Sequence, residues 1–194
     1  MTSEVIGVEL EKLKVTSLEE FDAFVERPEN DERLFELIDG EIVEKVPTNA
    51  KASHIAHLIA FFIEMFLRQH NISGHVTGAD GGYVVAGERY APDVAYISAA
   101  RQPELAGKGY NPVPPELAVE VETNTTAQSE RQLRSKLYHY LSVGTLVWIV
   151  YPESREVEIH APGKAPQKLA AADTLTGGDV LPGFELPLRE IFGA

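Results

Sequence analysis

Cysteine is absent from the 194-residue chain. That excludes a disulfide framework, a thiolate zinc site and a cysteine nucleophile, so any chemistry must be done with oxygen and nitrogen groups. Positive charge is scarce as well: 17 Lys and Arg stand against 30 Asp and Glu, leaving a formal −13. A field of that sign repels a polyanion at long range, so binding of a nucleic acid would have to rest on a local site. Long apolar runs are missing. The most apolar stretch, IAHLIAFFIEMFL, falls short of the roughly 18 residues a membrane span needs, and His57 and Glu64 interrupt it. The opening MTSEVIGVELEKLKV carries acids where a secretory signal has basic residues and an unbroken apolar segment. A cytoplasmic protein is expected. There is no internal repeat, low-complexity segment or linker, and the 44% hydrophobic and 24% charged content is that of a globular protein. Length then predicts one domain over residues 1–194, with an N-terminal tail over about residues 1–15.

Helices and strands alternate along the chain. Thr16 and Ser17 each precede a Glu by three residues, the signature of a capping box before a short helix. Asp39-Gly40 lies between two apolar runs in RLFELIDGEIVEKV, which predicts a two-residue hairpin because both residues tolerate positive φ. From about Ser53 to His70, Ile55, Leu58, Ile59, Phe62, Ile63, Phe66 and Leu67 recur at helical spacing and predict a long amphipathic helix. GHVTGA, GYVVAG, APDVAYIS and ELAVEVE read as strands, with QPELAGKGYNPVPP a loop too polar and broken to be core. NTTAQSERQLRSKLYHYLSVG is a third helix, with Thr125 and Gln128 as a capping box and Gly144 as its stop. TLVWIVYPE and REVEIHAPG follow as strands, and LPGFELPLREIFGA as a final strand or short helix. The strict βαβ regularity of a doubly wound sheet is lacking, so the expected fold is α/β with a mixed β-sheet flanked by helices.

Two strands carry acids among residues that are small or apolar on both faces. In APDVAYIS, Asp93 shares a face with Ala95 and Ile97; in ELAVEVE, Glu120 and Glu122 share one with Ala118. Strands of this kind are covered on both sides, which makes Asp93, Glu120 and Glu122 carboxylates at the rim of a buried sheet. Gathering such groups costs several kcal/mol per ion unless a cation neutralises them, and hard Mg²⁺ or Mn²⁺ prefers oxygen ligands. The plainer alternative is solvated strand-end acids. On the third helix Lys136 borders the stripe of Leu133, Leu137 and Tyr140, either as a cation beside the carboxylates or as a rim lysine whose stem snorkels. Glu36 interrupts a strand apolar on both faces and must be paired or functional. His54 and His57 are three apart on a helix, but without a third ligand they read as ordinary helix residues.

The ordered set FELIDGEIVE, GADGGYVV, APDVAYIS, PELAVEVETNTT, LYHYLSVG, TLVWIVYPESREVEIHAPG and DTLTGGDVLPGFELPL, from about Glu32 to Phe192, resembles the Uma-two family of restriction endonuclease-like proteins. That family is similar to the PD-(D/E)xK nucleases. The resemblance implies metal-dependent hydrolysis of DNA phosphodiester bonds, a Mg or Mn cofactor and a homodimer. Position by position it implies that Pro92-Asp93 is the PD element, Glu120 the acid of the second element and Glu36 the early glutamate. Glu122 stands where the motif has its lysine, and Lys136 on the following helix is the matching position. The implied metal ligands are Asp93, Glu120 and the carbonyl of Val121, with Glu122 as an extra ligand or nearby base. Two other readings remain open: a catalytically silent member of the fold that binds a partner or nucleic acid, and a metal hydrolase acting on another phosphate ester.

Overall fold

The computed structural model describes residues 17–123 and 126–193. The tail expected over about residues 1–15 therefore lies outside the described residues. In chain order the elements are α1 (Leu18–Val25), β1 (Phe35–Ile38), β2 (Glu41–Glu44), α2 (Ala50–Gln69), β3 (Gly74–Gly78), β4 (Tyr83–Val85), β5 (Glu88–Tyr90), β6 (Val94–Ser98), β7 (Leu117–Val121), α3 (Ala127–Ser142), β8 (Leu146–Tyr151), β9 (Glu156–His160), β10 (Gln167–Ala170), β11 (Thr174–Gly177), β12 (Leu181–Pro187) and α4 (Arg189–Phe192).

Six strands form the central sheet in the order β10-β9-β8-β7-β6-β3. It is mixed because β7 and β8 run parallel, joined by α3 as crossover, while the other neighbours are antiparallel. Alternation splits its central strands cleanly. Val94, Tyr96, Val119 and Trp148 pack with α2, β12 and α4, whereas Ala95, Ala118, Val147 and Ile149 pack with Tyr140 of α3 and with Ile38, Tyr83 and Tyr90 of a smaller sheet. Both faces are covered, as the residue pattern of β6 and β7 requires. The smaller sheet has the order β2-β1-β5-β4, and α1 lies against it through Phe21, Phe35 and Leu37.

Local chemistry explains the main boundaries. Ser17 and Glu20 form the capping box reciprocally, at 3.0 and 3.1 Å; Thr16 lies outside the described residues. Asp39 and Gly40 take φ of 52° and 72°, the left-handed pair that a two-residue hairpin needs. Helix α2 begins at Ala50, three residues before the sequence pattern predicts, because Asn49 accepts the Ala52 N–H and caps it. At 20 residues it is long and apolar enough to cross a membrane by length and composition, yet its stripe of Ile55, Ile59, Ile63 and Phe66 is buried against the sheet. Helix α3 is capped by Thr126, which accepts from Ser129 N–H. The capping box expected at Thr125 and Gln128 is thus displaced by one residue, Thr125 itself lying outside the described residues. Gly144 ends the helix segment at φ 88°.

The long loop between β6 and β7 is not wholly outside the core. Gln102 and Asn111 are buried and exchange paired amide hydrogen bonds of 2.7 Å, a polar satisfaction that composition does not advertise. Three short strands, β5, β10 and β11, have no counterpart in the sequence reading.

Candidate active site

Strand β5 ends the smaller sheet and Val94 begins β6 of the larger one, so Ala91-Pro92-Asp93 is the link that carries the chain across. Backbone and side chains of this link gather the site. The Ala91 N–H donates to Glu36 Oε1 at 2.8 Å, and the Ala91 carbonyl accepts from Lys45 Nζ at 2.5 Å. Pro92 has no N–H to offer. Asp93 closes the end of the β6–β7 ladder: its Oδ2 accepts the Val121 N–H at 2.8 Å in place of a backbone carbonyl, while its Oδ1 pairs with Lys45 Nζ at 2.9 Å.

Lys136 is the hub. It is 6% exposed, and its Nζ lies 2.7 Å from Glu120 Oε1 and 3.0 Å from Glu36 Oε1. The two carboxylates come from different sheets and are themselves buried, 4% and 6% exposed. The Tyr140 hydroxyl, one helical turn on, donates to the same Glu120 oxygen at 3.2 Å, and the Tyr90 ring lies beneath the ammonium, 5.6 Å from Nζ to the ring centre. The snorkelling alternative for Lys136 is overturned: the small sheet covers that edge of α3, and a lysine interred there persists because two carboxylates answer it. The same pair accounts for Glu36. Arg131, also on α3, is exposed.

Charge in this cluster follows from its depth. Burial pushes the Glu120 carboxyl up to about 7; Lys136 and Lys45 oppose the rise, Glu36 and Asp93 add to it. Burial likewise raises Glu122, again against Lys136. For Lys136 itself burial acts downward, but the pull of Glu120 and Glu36 outweighs it and the ammonium is held well above its usual range. The physical reading is that Lys136 stays charged while its carboxylates share too little positive charge. Glu120 therefore binds a proton more tightly folded than unfolded, so its stabilising contribution is complete below about pH 4.5 and is lost as pH climbs through about 7. Chemical denaturation of the metal-free protein across that interval should show stability falling with pH more steeply in the wild type than in Glu120→Gln; equal slopes would contradict the assignment.

Four carboxylates, Glu36, Asp93, Glu120 and Glu122, surround two ammonium groups, Lys45 and Lys136. With all ionised the surplus is two negative charges, the charge a divalent ion would cancel. The donors fit such an ion: all are hard oxygens, both hydrogen bonds to Glu120 converge on Oε1, and among the described residues none reaches its Oε2. A protein ammonium already stands as a cation on Asp93. Glu122 lines a cleft of about 340 Å³ between α3 and β8, with Leu133, Leu137, Ile149 and Tyr151.

Sequence reasoning named Glu36, Asp93, Glu120, Glu122 and Lys136, and the structure brings all five to one place. It missed Lys45, Tyr140 and the backbone of Ala91. Nothing in EIVEK distinguishes Lys45 from a solvated strand-end lysine. A second set was also missed: Asp39, Glu88 and His139 place ligand atoms within 4.8 Å of one another, with His139 Nδ1 bonded to the Tyr90 hydroxyl at 2.6 Å. His54 and His57 are exposed and belong to no such set among the described residues.

A mixed sheet flanked by helices, with acids from β1, the β6 end and β7 around one lysine, defines a restriction-endonuclease-like α/β protein. The fold is similar to that of a crystal structure described as a "putative nuclease belonging to DUF820" from Anabaena variabilis, at TM-score 0.72 and 18% identity, covering 88% of this chain and 96% of that one. The chain belongs to the Uma2 family, described as "Putative restriction endonuclease", whose sequence profile matches residues 18–189. The resemblance drawn from the ordered motifs is borne out, and family and fold together support a nuclease. No curated protein matches the chain.

Proposed function

We propose that this protein is an endonuclease that hydrolyses phosphodiester bonds of DNA with Mg²⁺ or Mn²⁺. The observation that carries the reading is the buried Lys136 fixed between Glu36 and Glu120, beside an Asp93 whose Oδ1 is directed at a cation. Asp93, Glu120 and the Val121 carbonyl would hold the ion. When bound, it supplies polarisation of the phosphate and acidification of a water.

This chain's own residues do the rest. Val121 N–H and Asp93 Oδ2 lock each other, which leaves Oδ1 as the ligand oxygen. An ammonium has three donors; Lys136 spends one on each glutamate, and the third can counter charge developing on a phosphate oxygen. Glu122, its carboxyl raised by burial, accepts the proton of the attacking water. A double-strand cut needs two such centres, so the reading includes a homodimer, acting in the cytoplasm. The silent-module alternative draws on Lys45, whose ammonium pairs with Asp93 Oδ1.

A cleavage screen over supercoiled, single-stranded and branched DNA, each with Mg²⁺, Mn²⁺ or chelator, separates the two. Metal-dependent cutting of at least one substrate is expected. Binding of DNA without cutting in any metal would establish the silent module, and cutting of only small phosphate esters the third reading.

A further inference from the structure

The site holds two cations that are not equivalent. Lys136 is buried to 6% exposure and bonded to two carboxylates from two sheets. It cannot leave without stranding both. Lys45 sits just past the end of β2, its side chain 21% exposed, and is held by one carboxylate oxygen and one carbonyl. That oxygen is Asp93 Oδ1, the one left for a metal once Val121 N–H has taken Oδ2. An ammonium and a divalent ion on one carboxylate oxygen repel each other strongly at such range, so they compete for it.

We propose that Lys45 is a displaceable internal cation: it occupies Asp93 in the metal-free protein, yields that oxygen to the divalent ion, and then joins Lys136 in meeting a substrate phosphate. This rests on the metal-dependent reading above and adds to it. In a chain of net charge −13 a polyanion must be received by local positive charge. Of the two lysines in the site, Lys45 is the one with solvent access, its side chain 21% exposed against 8% for Lys136. Lys45 is thus a substrate-positioning residue, and its release is coupled to metal entry through one shared oxygen.

The test is calorimetric titration of Mn²⁺ into wild type, Lys45→Met and Asp93→Ala, with thermal melts of each protein with and without the ion. Met keeps the stem and removes the charge. In Lys45→Met the Mn²⁺ Kd should fall at least tenfold and the Mn²⁺-induced rise in melting temperature should grow, while the metal-free melting temperature drops because Asp93 loses its partner. A merely structural lysine would weaken both. With Ca²⁺ present, anisotropy of a labelled short DNA duplex should show Lys45→Met binding at least fivefold more weakly than wild type, in the opposite direction to its metal affinity. Unchanged or weaker Mn²⁺ binding by Lys45→Met would overturn the exchange, and unchanged duplex affinity would overturn the phosphate role. Mn²⁺ binding by wild type that survives Asp93→Ala would instead refute the metal-site reading, and the exchange with it.

Discussion

Lys136→Met is expected to cost about 3–5 kcal/mol of stability near pH 8, the penalty for breaking a buried ion pair from one side. Glu36 and Glu120 would be left in the interior without a cation, Glu36 keeping only the Ala91 N–H and Glu120 only the Tyr140 hydroxyl. The loss should shrink toward pH 5, because a carboxylate deprived of its cation can take up a proton instead. Adding Glu36→Gln should restore part of the stability, since Gln carries no charge to strand; urea unfolding of the single and double variants at both pH values reads all of this. Under conditions where Lys136→Met remains folded, phosphodiester cleavage should fall by about a hundredfold or more, equivalent to about 3 kcal/mol at 1.36 kcal/mol per decade. Stability lost equally at both pH values would mean that packing, not charge, holds Lys136 in place.

Asp93→Ala should be more damaging to activity than to the fold. Its side chain accepts Val121 N–H and Lys45 Nζ, so an unpaired backbone donor near a covered edge costs about 1–3 kcal/mol. That edge is partly open, Asp93 being 15% exposed at its side chain, and water can answer the N–H. The melting temperature of wild type should rise with ln[Mn²⁺], as linkage requires. In Asp93→Ala that rise should vanish and cleavage should drop by about a thousandfold. A preserved rise would move the ion elsewhere, with the Asp39, Glu88 and His139 set as the next place to look.

What the sequence made legible was whatever has a short period. Asp39-Gly40 announces its hairpin because few other pairs accept φ of 52° and 72° in succession. The stripe of α2 is read from spacing alone, and the two-faced burial of β6 and β7 follows from small and apolar residues on both sides of each. Glu36 and Lys136 could each be marked as out of place. That they answer each other could not be read, because 100 residues separate them and no periodicity spans such a distance. The rim-lysine alternative agrees with helix geometry and fails on tertiary grounds, since α3 alone does not reveal that the small sheet closes over its edge. Lys45 was invisible for the complementary reason: a lone lysine after EIVE has the pattern of a solvated residue, and only the Ala91-Pro92-Asp93 link gives it partners. Strand β5 escaped because Glu88-Arg89-Tyr90 shows no alternation of apolar and polar residues, and β10 because Gln167–Ala170 lies largely exposed at the sheet edge.

The most direct test is cleavage of supercoiled plasmid in Mn²⁺ by wild type, Lys136→Met and Asp93→Ala, purified identically and assayed at equal folded concentration, with a chelator control. Metal-dependent conversion to nicked or linear DNA by wild type, reduced about a hundredfold in the first variant and about a thousandfold in the second, is the predicted result. Cleavage by Asp93→Ala at the wild-type rate would contradict it, because hydrolysis would then be occurring somewhere other than the carboxylate cluster around Lys136.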